Sequence, residues 1–139
     1  MRKEPVPPFA DPSVADAFDA FPETAIEAAL VLRDLIFEVA GQTPEAGQIA
    51  ETLRWGQPSY ITPETKSGST LRIGATKAGE AAILAHCGTH IIRTYAATFP
   101  DMDKIDGNRA VVFVSVEDIA PDRIGLLIRH GLTYHLPTR

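Results

Sequence analysis

The stretch from Pro22 to Ala40 constrains the fold more than any other, because its apolar residues repeat with the period of an α-helix. At about 100° per residue, Ala25, Ala28, Leu32, Leu35, Ile36 and Val39 share one face. Glu23, Glu27, Asp34 and Glu38 gather on the opposite one. Pro22 opens this helix, and Gly41, a residue that accepts positive φ, is expected to end it. A shorter helix precedes it: Asp11 or Ser13 can cap free N–H groups, Pro12 suits a first turn, and Val14, Ala17, Phe18 and Phe21 point inward. Pro44 is expected to open a further short helix through Ile49. Residues 1–11, with Pro5, Pro7 and Pro8, read as a flexible arm ahead of one domain over 12–136.

From about Thr52 the pattern changes to that of strands. Leu53 to Ile61 reads as a single strand bent at Gly56 and Pro58, since proline cannot donate to a sheet ladder. Ser69–Ala75 and Glu80–His86 read as a hairpin around Lys77-Ala78-Gly79. Thr89–Phe99 is expected to be a short helix. Asp106-Gly107-Asn108 is a turn, Arg109–Val116 a strand, and Pro121 starts a closing helix whose apolar face is Ile124, Leu127 and Ile128. Helices and strands are segregated along the chain, which predicts an α+β fold: a curved, mainly antiparallel sheet with N- and C-terminal helices on one face and the other face partly open.

Arg54-Trp55-Gly56-Gln57-Pro58-Ser59-Tyr60 carries a Trp-Gly-x-Pro-x-aromatic motif after an amphipathic helix. A hairpin, then Lys104-Ile105-Asp106-Gly107-Asn108-Arg109 before an apolar strand, then a last helix follow it. In this order the parts resemble the YdhG-like family, most of which has no assigned activity, over roughly residues 13–135. The resemblance implies an α+β fold comparable with frataxin and, by analogy, weak iron binding or an iron-chaperone role.

Three constellations can carry chemistry. The carboxylates Glu23, Glu27, Asp34 and Glu38, extended by Asp16 and Asp19, supply the oxygen donors that hard cations prefer, and are the metal-site candidates for iron. The plainer reading of the same residues is a solvated helix face. Arg54, Trp55, Gln57, Ser59 and Tyr60 are the ligand-binding candidates, lining a groove for a small molecule or peptide. Against this, large aromatics in small domains are mainly core, so Trp55 is also a candidate seal between helices and sheet. His86, Cys87 and His90 have the spacing of a tight metal loop but lack the four ligands of a closed zinc site, and Cys87 also reads as a small buried apolar residue. Leu30, Val31 and Phe37 flank the acidic stripe and offer a patch for a protein partner or a second copy of the chain.

Composition narrows the classes. A net charge of −5 over 139 residues, with no basic cluster beyond Arg2-Lys3, argues against nucleic acid. No apolar run approaches the ~20 residues of a membrane helix, Met1–Phe9 does not read as a signal peptide, and a single cysteine offers no intramolecular disulfide, so the expected location is the cytoplasm. No phosphate-binding glycine loop or nucleophile elbow occurs, which leaves catalysis without a positive sign.

Overall fold

The first two helices form where the periodicity places them. In the computed structural model, which describes residues 6–137, α1 spans Pro12–Asp19 and α2 spans Glu23–Gly41. Asp11 caps α1, its carboxylate accepting from the Ser13 N–H at 2.9 Å. The start of α2 has no side-chain cap; instead the Thr24 hydroxyl donates to the Gly79 carbonyl at 2.7 Å, tying the helix to a β-turn. Gly41 is the last residue of α2, without a left-handed φ, and the Thr43 hydroxyl donates to the Val39 carbonyl at 2.7 Å. Pro44–Ala46 is only one 3-10 turn, because Gly47 then takes φ +66°.

Six strands follow: β1 (Ala50–Arg54), β2 (Gln57–Ile61), β3 (Leu71–Ala75), β4 (Ala81–Ala85), β5 (Lys104–Asp106) and β6 (Ala110–Phe113). Helix α3 (Ile91–Thr98) lies between β4 and β5, and α4 (Pro121–Leu132) follows β6. The sheet order is β1-β2-β3-β4-β6-β5, and each neighbouring pair is antiparallel. The segment expected to be one bent strand is therefore a hairpin, β1–β2, with Trp55-Gly56 as its two-residue turn. Residues flanking such a turn form a hydrogen-bonded pair, so Leu53↔Pro58 is a non-bonded pair and the Pro58 nitrogen faces away from β1. There β2 pairs with β3 only at Ser59 and Tyr60, so Pro58 breaks no ladder.

Strand alternation sorts the side chains into two faces. Tyr60, Leu71, Ile73, Ala81, Ile83, Val111 and Phe113 join buried residues of all four helices in one apolar cluster. Full burial of a side chain such as Ile36 or Ile83 is worth roughly 1.5–3 kcal/mol, and this cluster holds most of the chain's large apolar groups. The opposite face carries Ala82, Leu84, Ala110 and Val112 with Gln57, Ser59, Arg72 and Gly74, and no helix of the described residues covers it.

The C-terminus of α4 is closed by the loop before β3. The Ser67 hydroxyl donates to the Leu132 carbonyl at 2.8 Å and the Ser69 N–H to the Gly131 carbonyl at 2.9 Å. Between them, a Cβ on Gly68 would stand 2.9 Å from both the Gly131 and Leu132 carbonyl oxygens and 3.0 Å from the Leu132 Cα. These are backbone atoms and cannot swing aside. Gly68→Ala is therefore expected to destabilise by roughly 1–3 kcal/mol, as overpacking does, measured as a lowered urea midpoint. An unchanged midpoint counts against this close approach.

Candidate functional site

The β1–β2 turn sets the site. Trp55 has φ +52° and Gly56 φ +74°, the two left-handed residues of a type I′ hairpin turn. Glycine accepts this geometry readily, while a bulky side chain with a Cβ does so at a cost. Trp55 is also 78 % exposed, at a corner of the sheet rather than under it. That overturns its reading as a core seal: the strand bends back at Trp55, so its ring never reaches the helices.

The ring lies beside Arg72, whose guanidinium carbon is 5.3 Å from the ring centroid. Arg72 also donates to the Gln57 side-chain oxygen at 2.8 Å. Gln57 can lie flat across the sheet because Gly74 stands under it; a Cβ there would come within 2.6 Å of the Gln57 Nε2. Two depressions adjoin this pair. One, of about 270 Å³, is lined by Trp55, Ser69, Thr70, Arg72 and His86. The other, of about 330 Å³, has Gln57, Thr76, Lys77 and Arg109 around a floor that includes Ala82, Leu84 and Ala110. Small floor residues beside an aromatic and convergent polar groups are what a small-molecule site requires.

The charge of this face opposes that of the whole chain. Arg54 pairs in register with Gln57 and so shares the face with Arg72 and Arg109. Lys104 is answered by Glu80 at 2.9 Å, but among the described residues Arg54, Arg72 and Arg109 make no ion pair. Burial, and then the charge of Arg109, hold the Arg72 guanidinium below the usual arginine range.

Of the five groove residues named from the sequence, four belong to this corner. Arg54 and Gln57 lie on the open face and Trp55 at its edge; Ser59 shares the register of that face but is fully buried, its hydroxyl turned back to the Gln57 carbonyl. Tyr60 points the other way: it is fully buried among the helices, and its hydroxyl donates to Glu51 at 2.7 Å. Period-2 alternation separates it from Ser59. Arg72, Gly74 and Arg109 escaped sequence reasoning. The signal was present in Leu71-Arg72-Ile73-Gly74, where Arg72 and Gly74 alternate with two core residues.

The acidic candidates are arranged differently. Glu23, Glu27 and Asp34 are exposed along α2 and Glu38 is half-buried. Glu27 and Asp34 are seven residues apart, about 10 Å along a helix, so the four carboxylates do not meet at one point. Among the described residues, no group of three or more His, Cys, Asp or Glu side chains could hold a metal ion. Arg33, which the helical wheel places beside the stripe, is instead buried against Glu51. Asp16 and Asp19 are exposed on α1.

The His86–His90 loop also divides. His86 and Cys87 are exposed, so Cys87 is no core residue, and the His86 Nδ1 accepts from the Gly88 N–H. His90 lies 5.4 Å, ring to ring, from His130 on α4. Burial, and then the charge of His90, hold the His130 imidazole below its usual range. Leu30 is 37 % exposed, while Val31 and Phe37 pack against the core, which leaves little of the expected apolar patch. No helix of the described residues is long and apolar enough to cross a membrane.

Two buried tyrosines give a pH dependence. Burial, reinforced by Glu51, raises Tyr60 far above the ordinary tyrosine value. Burial and the hydrogen bond to Asp103 raise Tyr95 to about 12. Unfolded tyrosines ionise near pH ~10, so the stability these hydroxyls contribute is complete below ~10 and is lost as pH rises through about 12. The urea midpoint is expected to fall between about pH 9 and about pH 11 as the unfolded tyrosines ionise, and an equal midpoint at both counts against the burial of both groups.

Comparison with protein-family models, with curated proteins and with solved structures finds no match.

Proposed function

We propose that the protein is a small-molecule binding module whose site is the Trp55–Gln57–Arg72 corner of the open sheet face. One observation carries the reading: a tryptophan stands exposed in a left-handed turn position, where it contributes little to the core, with its ring beside an arginine that has no carboxylate partner among the described residues. Strained, exposed residues of this kind gather at ligand sites. A flat ring can stack on the indole, and the Gln57 amide can fix its orientation. The acidic face of α2 supports iron binding less well, since its carboxylates do not converge.

The test is a nuclear magnetic resonance titration of labelled protein with planar fragments, benzamide and adenine first. Saturable shifts at the Trp55 indole N–H and at Gln57 and Arg72, absent in Trp55→Ala, are expected. Shifts collected instead in the apolar cleft of Tyr95, Phe99 and Leu126, between α3 and α4, would move the site there. Neutralising Glu27, Asp34 and Glu38 together is expected to leave the Trp55 shifts unchanged.

A further inference from the structure

Resting on the Trp55 corner as the ligand site, we infer that its ligand is an oxyanion carried by a flat ring, with the anionic group held between Arg72 and Arg109 and the ring against Trp55. The sheet register makes the geometry. Arg72, Leu84 and Ala110 form one row across β3, β4 and β6, and Arg109 immediately precedes Ala110. Two strand spacings, about 10 Å, therefore separate the two backbones. That gap suits two long side chains closing on one group from opposite sides, above Leu84.

Neither guanidinium meets a carboxylate among the described residues. Arg72 has one hydrogen bond, to a neutral amide, and a ring contact; the Arg109 side chain makes no hydrogen bond or ion pair among the described residues. Asp106 borders the same depression without pairing with Arg109. Elsewhere the buried Arg33 pairs with Glu51 and the half-buried Arg123 with Asp103. Two neighbouring cations without a carboxylate among the described residues repel each other; burial first, and then this repulsion, hold the Arg72 guanidinium below its usual range, and an anion between the two removes the repulsion. Planar, forked guanidinium donors match carboxylate and phosphate oxygens two at a time. Both chemistries fit, and the ring distinguishes either from a free inorganic ion.

Benzoate, its neutral isostere benzamide, phenyl phosphate, acetate and inorganic phosphate are titrated at low salt, read at the Trp55 indole N–H and the arginine Nε–H signals. Benzoate or phenyl phosphate is expected to bind at least roughly tenfold tighter than benzamide, because charge-assisted hydrogen bonds replace neutral ones. Arg109→Gln, an exposed position whose side chain makes no hydrogen bond or ion pair among the described residues, is expected to remove that preference by weakening benzoate and phenyl phosphate to the level of benzamide. Arg72→Gln, checked for folding by its spectrum, is expected to remove the preference too and, because Arg72 also holds the Gln57 amide and lies beside the Trp55 ring, to weaken benzamide as well. Whichever of benzoate and phenyl phosphate binds tighter assigns the ligand to carboxylates or to phosphate esters. Equal binding of benzoate and benzamide at Trp55 would overturn the anion inference and leave the Trp55 site standing. Acetate or inorganic phosphate binding as tightly as the ring compounds would overturn the ring. A Trp55 signal that no compound moves would overturn both the inference and the site.

Discussion

Glu51→Ala is expected to destabilise the protein by roughly 3–5 kcal/mol, the usual consequence of removing one partner of a buried ion pair. Glu51 on β1 receives Arg33 in a two-pronged contact, at 2.6 Å from Nε and 2.9 Å from Nη2, and the Tyr60 hydroxyl as a third donor at 2.7 Å. The two charged side chains expose only 6 % and 9 % of their surface. Burial pulls the Arg33 guanidinium down, but hydrogen bonding to Glu51 and its charge more than reverse this and keep it above the usual arginine range. Without Glu51 a charged guanidinium and a tyrosine hydroxyl are both stranded between α2 and the sheet. A domain of this size has a total stability of roughly 5–15 kcal/mol, so the loss is a large share of it. Urea denaturation measures it, and a loss below about 1 kcal/mol would mean that water reaches Arg33 freely.

A second variant separates the stranded charge from the value of the pair itself. Arg33→Met, Glu51→Leu and Tyr60→Phe together remove every member, and apolar replacements of buried ion pairs are often neutral or stabilising. This triple variant is expected to be far more stable than Glu51→Ala alone. It also releases the N-terminal segment, since Arg33 donates to the Pro7 carbonyl at 2.9 Å and lies 4.0 Å from the Phe9 ring centroid. The arm expected over residues 1–11 is thus tied down at Pro7 and Phe9, and its residues 1–5 lie outside the described ones.

This network shows where the sequence stops being legible. Periodicity places Ala25, Ala28, Leu32, Leu35, Ile36 and Val39 of α2 inside, and all six are buried. It does equally well for Ile124, Leu127 and Ile128 of α4. Arg33 defeats it, because its partner Glu51 comes from another element 18 positions away. The β1–β2 hairpin is missed for a local reason: a turn that favours Asn-Gly is written Trp-Gly, so the usual turn chemistry is absent. β5 is missed because three residues, two of them exposed, carry no period. The open face follows from segregated helices and strands, but the pairing of Arg72 with Arg109 depends on the sheet order, in which β6 returns beside β4. No spacing along the chain encodes that.

Trp55→Asn is expected to raise stability by roughly 0.5–1 kcal/mol while abolishing planar-ligand shifts at the sheet corner. Two effects compete. A side chain other than glycine in the left-handed region carries a penalty of roughly 1–2 kcal/mol, which asparagine largely escapes by bonding to its own backbone. Set against that gain is the loss of the Arg72–indole contact, worth roughly 0.5–1 kcal/mol at an exposed site. With the ring 78 % exposed, little core packing is lost, so relief of strain wins. Asn-Gly is moreover the preferred pair for this turn, and the Arg54↔Gln57 register needs no adjustment. A tryptophan kept where asparagine is more stable is retained for something other than folding, and the ligand titration measures what that is. If Trp55→Asn instead lowers the urea midpoint, the indole is a structural clamp on Arg72, and the strongest reason for placing a ligand at this corner is gone.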